Sequence, residues 1–106
     1  MKMKIYADNP SGLYNDIKSF IEEESKTWII TSSPPNFPVI YIHDKPQWEK
    51  VLLIPTCNEH YIEIETKRWK NEAEPEYEKD PYVLGRFIEL LLVNFLGEFN
   101  SLTFDK

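Results

Sequence analysis

Between Tyr82 and Phe99 the sequence reads YVLGRFIELLLVNFLGEF, the most apolar stretch of the chain. Asp80-Pro81 precedes it, a capping carboxylate followed by a proline suited to a first helical turn. At ~100° per residue, Leu84, Phe87, Ile88, Leu91, Leu92, Phe95 and Phe99 share one broad face. A thin stripe through Tyr82, Arg86, Glu89, Val93 and Gly97 escapes it. A helix this apolar must be covered by a sheet or a partner. Gly85, Arg86 and Glu89 interrupt it well short of the ~20 apolar residues that a bilayer span requires.

The rest of the chain supplies the cover. Met3, Ile5 and Ala7 alternate with Lys2, Lys4 and Tyr6, the pattern of a short strand or arm. Asn9-Pro10 starts a helix carrying Leu13, Tyr14, Ile17, Phe20 and Ile21 at helical spacing. Glu22-Glu23-Glu24 ends it with charges of the unfavourable sign for a helix C-terminus, so fraying is expected there. Lys26–Thr31, Val39–His43, Lys50–Ile54 and Tyr61–Trp69 read as four strands. The first pair is joined by the stiff connector SSPPNFP, and Asp44-Lys45-Pro46 ends the second strand as a turn.

The fourth strand has the clearest period of two. Ile62, Ile64 and Thr66 point one way, and Tyr61, Glu63, Glu65, Lys67 and Trp69 the other. One buried face and one wet face is the signature of an antiparallel sheet. Thr56-Cys57-Asn58-Glu59 closes the hairpin before it, and Leu102 and Phe104 offer a last edge strand. This order predicts an α+β fold: a two-layer sandwich in which an antiparallel sheet of four to six strands carries two helices on one face. The 106 residues form one domain, with an acidic linker over residues 70–80.

Composition narrows the function classes. A lone cysteine, Cys57, excludes an internal disulfide framework and fits a reducing compartment. The N-terminal MKMKIYADNP is too short and polar for a signal peptide, so a cytoplasmic location without membrane association is expected. The net charge of −6 is uneven, with residues 1–53 carrying −1 and residues 54–106 carrying −5. An acidic surface repels phosphates, which disfavours direct nucleic-acid binding and leaves a protein partner, basic in character, as the expected ligand. Edge strands and surplus apolar helix area also permit a homodimer.

Candidate chemistry is sparse. Cys57-x-x-His60 has a spacing used by zinc sites, and His43 is a further ligand type, but no second ligand pair accompanies them. A hairpin turn with a polar surface is the simpler reading. A thiol nucleophile paired with His60 or His43 would need an oxyanion donor, and no glycine-rich turn follows Cys57. The three glycines Gly12, Gly85 and Gly97 are far apart, which excludes a phosphate-cradling loop. No cofactor and no catalytic constellation is expected.

The linker is more distinctive. Glu72, Glu74, Glu76, Glu78 and Asp80 fall at every second position, interrupted by Pro75. An extended backbone would set these carboxylates along one side at ~6.6 Å intervals, a periodicity comparable to that of nucleic-acid phosphates. Such a row suits a basic groove; a self-repelling solvated loop is the favoured reading. Trp48, after a turn, and Trp69, on the wet face beside Tyr61, are either interface anchors or covered by the connectors.

Asn94 is the one polar residue inside the apolar arc, where it is expected to bond a buried backbone group. A second reading places a small-molecule pocket between sheet and long helix, lined by Asn94, Tyr41, His43 and Trp28. Arg86 and Glu89 can pair on the helix surface or reach Glu63 and Glu65. Gly85 and Gly97 weaken a helix, so each is expected to mark close packing against the sheet.

Gly85-Arg86-Phe87-Ile88-Glu89, Lys26-Thr27-Trp28 and Gln47-Trp48 together resemble a pattern in small uncharacterised bacterial proteins. The resemblance covers these three islands and implies a shared α+β domain, with no activity attached.

Overall fold

The computed structural model describes residues 1–25, 27–31, 40–43, 51–68 and 79–105, with the side chains of 31, 40, 42–43, 68 and 79–80 excepted. Among the described residues, six strands form one antiparallel sheet: β1 (Lys2–Tyr6), β2 (Trp28–Thr31), β3 (Ile40–His43), β4 (Val51–Cys57), β5 (Tyr61–Arg68) and β6 (Ser101–Asp105). Their spatial order is β2-β3-β4-β5-β1-β6. The helices α1 (Pro10–Glu23) and α2 (Lys79–Asn94) cover one face. The chain is therefore the expected α+β arrangement.

The N-terminal alternation is a full strand. β1 lies between β5 and β6, with Met3 opposite Ile64 and Phe104, and Ile5 opposite Ile62 and Leu102. Met3, Ile5, Ile62 and Ile64 are all fully buried under the helices. Thr66 continues that face and is satisfied at its end, where its Oγ1 donates to the Met1 carbonyl at 3.1 Å. The outer face of the same strands is charged. Lys2 pairs with Glu63 at 3.7 Å, and Lys4 lies over the Tyr61 ring at 5.0 Å.

β4 is longer than the sequence predicts, running through Pro55 to Cys57. Pro55 is opposite Ile64 of β5, whereas the described pairing with β3 involves only Leu52 and Leu53. The proline thus lies where β4 has, among the described residues, one strand neighbour, and its missing N–H breaks no ladder between two strands. The hairpin turn accordingly shifts to Asn58–His60, with the Asn58 amide donating to the Tyr61 carbonyl at 2.8 Å.

Helix α1 begins where Asn9 accepts the Gly12 amide at 3.1 Å, with Pro10 as its first residue. Its core face is Leu13, Ile17 and Ile21. Helix α2 ends at Asn94, five residues before the apolar periodicity of the sequence does. There the Asn94 Nδ2 turns back to donate to the Leu90 carbonyl at 3.0 Å, and a short 3-10 turn, Leu96–Glu98, leads into β6. With Phe95 and Phe99 outside the helix, the buried arc is Val83, Leu84, Phe87, Leu90 and Leu91, and Leu92 is exposed. Gly85 and Gly97 are also exposed. A Cβ at either would meet nothing within 4 Å, so neither is a packing point against the sheet.

Candidate functional site

Asp16, Ser19, Phe20 and Glu23 of α1 recur at the spacing that lines one side of a helix. On this side α1 meets the end of α2. The Phe20 and Phe95 rings pack edge to face, with centroids 5.8 Å apart. Around that aromatic pair lies a groove of about 320 Å³ lined by Asp16, Ser19, Phe20, Glu23, Glu24, Asn94 and Phe95. None of these residues is basic.

Three sources of negative potential converge there. The first is the carboxylates of Asp16, Glu23 and Glu24 themselves. The second is the C-terminus of α1, which carries Glu23 and the capping residue Glu24 with no basic residue in its last turn. Acidic groups at the negative end of a helix dipole are electrostatically unfavourable, by a few tenths of a kcal/mol to about 1 kcal/mol each. The third is the C-terminus of α2 at Asn94, likewise without a basic residue in its last turn. A cationic group in the groove relieves all three.

Glu98 adds a fourth carboxylate beside the groove. Partial desolvation, a hydrogen bond with Asp16 and the charge on Asp16 hold its carboxyl above the ordinary glutamate value. Because Glu98 is exposed, the Asp16 carboxylate is the cause that a bound ligand can alter.

Among the described residues, those singled out in the sequence are not gathered at one place. Asn94 is the one that reaches the groove, and it is exposed rather than buried, because the helix stops there. Its amide nitrogen is engaged with Leu90, which leaves Oδ1 as an acceptor for a ligand. Trp48, Trp69, Glu72, Glu74, Glu76 and Glu78 lie outside the described residues, as do the side chains of His43 and Asp80.

Cys57 is exposed at the end of β4, with its thiol donating to the Asn58 carbonyl at 3.7 Å, and His60 is exposed in the hairpin. Among the described residues, no three His, Cys, Asp or Glu side chains are placed to hold a metal ion. Arg86 pairs with Glu89 at 3.2 Å on the outer surface of α2.

Trp28 and Tyr41 are not among the residues that line the groove at Asn94. Both are buried against Phe87, the indole edge to face at 5.5 Å and the phenol stacked at 5.7 Å. Burial, then the neighbouring Tyr14 and Glu22, raise the Tyr41 hydroxyl far above its ordinary range, so it stays neutral. This region is packed core.

The groove was missed in the sequence because its two walls are at least 70 residues apart, although the α1 half carried the signal of four polar or aromatic residues at helical spacing. No family model, no curated protein and no solved structure matches the chain. No helix among the described residues is long and apolar enough to cross a membrane.

Proposed function

We propose that this chain is a small, non-catalytic, cytoplasmic interaction protein whose acidic groove receives a lysine or arginine side chain of a basic protein partner. An inhibitor or immunity role against a basic enzyme is the concrete form of this reading. One observation carries it. The acidic side of α1 and the C-termini of both helices meet at one groove with an aromatic floor, and its lining among the described residues holds no cation. The aliphatic stem of a Lys or Arg fits against Phe20 and Phe95, while its head group reaches the carboxylates. Specific contacts, and not net charge alone, then select the partner.

The reading is tested by NMR titration with a tri-arginine peptide as the probe. Amide shifts are expected at Asp16, Ser19, Glu23, Asn94 and Glu98, with affinity falling as salt rises. The double variant Asp16→Asn/Glu23→Gln should weaken binding about ten-fold, the loss of two charge-assisted contacts. Binding should also strengthen with pH. The raised Glu98 value means that the protonated Asp16–Glu98 bridge stabilises the fold fully below the ordinary glutamate value, and that this contribution is lost as pH rises through the raised one. A bound cation replaces the proton over that same rise. Shifts confined to the charged outer face of the sheet, with the groove silent, would remove the reading.

A further inference from the structure

Strand β6 ends the sheet. One side of it pairs with β1 over the whole of Ser101–Asp105, and among the described residues no strand pairs with its other side. The open side carries the outward amides and carbonyls of alternate residues, which template a further strand. Solitary edges are commonly blunted by proline or lysine. β6 contains neither, and its single charge, Asp105, lies at its end on the outer face opposite Lys2. The apolar face also stops unfinished at this edge. Phe104, opposite the fully buried Met3, is 50% exposed, and Leu102, opposite Ile5, is only partly buried.

We propose that β6 joins the β6 of a second copy, antiparallel about a two-fold axis through Thr103, so that two sheets continue as one. The register follows from parity. Residues facing each other across an antiparallel pair share a sheet face and a hydrogen-bonding phase. When a strand pairs with its own copy, the axis must therefore pass through a residue and not between two. An axis at Leu102 or at Phe104 engages only three of the five residues of the strand, and the first sets Asn100 against Phe104. An axis at Thr103 engages all five. Each Leu102 then faces Phe104 of the other copy, each Ser101 hydroxyl faces the Asp105 carboxylate, and Thr103 faces its own counterpart.

Any extended strand satisfies the backbone of an open edge. What selects a second copy is that this alignment covers the half-exposed ring with an apolar side chain, gives the carboxylate a hydrogen-bond donor and opposes no like charges across the strand pair. A seam of this length belongs with interfaces below about 1,200 Å² in total, so a dissociation constant in or above the micromolar range is expected. None of these residues lines the acidic groove, so dimerisation and cation binding succeed or fail separately.

Sedimentation equilibrium on the full chain from about 1 µM to about 1 mM tests the proposal. A reversible monomer–dimer equilibrium is expected, with amide exchange at the concentrated end slowed at alternate residues of β6. Thr103→Glu should weaken the dimer about ten-fold or more, because it sets two carboxylates face to face at the axis. The fold survives this change, since Thr103 is exposed and lies opposite Lys4 of β1. Ser101→Lys brings an ammonium to Asp105 of the other copy and should tighten the dimer several-fold, whereas Ser101→Asp should weaken it. A monomer throughout the range overturns the proposal. So do assemblies larger than a dimer, a dimer indifferent to Thr103→Glu, or one that responds alike to the two Ser101 substitutions.

Discussion

Helices α1 and α2 lie on the same face of the same sheet, yet they finish their outer sides in opposite ways. The outward residues of α1 include Ser11, Asn15, Asp16, Ser19, Glu22 and Glu23, all polar, and every residue that it buries faces the core. The outward residues of α2 include Tyr82, Leu92 and Val93, with an uncompensated glycine among them. The start of α1 is secured by Asn9 and Pro10. The sheet can cover only one side of either helix, and for α1 that is sufficient. For α2 it leaves apolar area over. The outside of α1 is therefore polar, while the outside of α2 keeps exposed apolar side chains.

The inner sides should behave alike, and the largest expected effects lie there. Phe87 is fully buried and joins Trp28 and Tyr41 in one aromatic cluster. Phe87→Ala should cost about 3–5 kcal/mol in urea unfolding, from lost transfer energy and the cavity left behind. Ile17→Val, deleting one methyl group from the buried face of α1, should cost about 0.5–1.5 kcal/mol. A Phe87→Ala loss below 1 kcal/mol would mean that α2 is peripheral to the core, and the comparison would have to be redrawn.

Much of this contrast is written in the sequence. From Tyr61 to Lys67 the period of two reads correctly because one face is dry and the other charged, so each of these residues reports its side. The end of α2 reads wrongly because Phe95 and Phe99 continue the helical spacing after the helix has stopped. Counting them rotates the apparent buried arc toward Leu92 and away from Val83 and Leu90. Pro55 reads as a strand end because the sequence does not say which strands are neighbours, and that decides whether a missing N–H matters. The groove is least legible. Asp16 and Glu98 become partners only through the return of the chain from α2 to β6.

The glycines sharpen the comparison at the next level of energy. At Gly12 an added Cβ would collide with the Asn9 side chain, whose oxygen caps α1. At Gly85 it would meet open space. At low protein concentration, Gly85→Ala should therefore stabilise the monomer by about 0.5–1 kcal/mol. Gly12→Ala should instead destabilise it by a few tenths of a kcal/mol, because displacing the cap costs about 1 kcal/mol and the helix preference returns most of it. Paired denaturation curves measure both, and equal signs for the two substitutions would break the distinction.

The smallest expected effect lies on the outer side of α2. Arg86 and Glu89 are both more than half exposed, and their 3.2 Å contact is a surface ion pair three residues apart. Pairs of this kind contribute about 0.2–0.5 kcal/mol, since water screens the charges and both side chains lose freedom on pairing. Glu89→Gln should accordingly leave the unfolding midpoint of the dilute protein almost unchanged. A midpoint lowered by more than about 0.5 kcal/mol would show that the Glu89 carboxylate holds more than this one helix-surface contact.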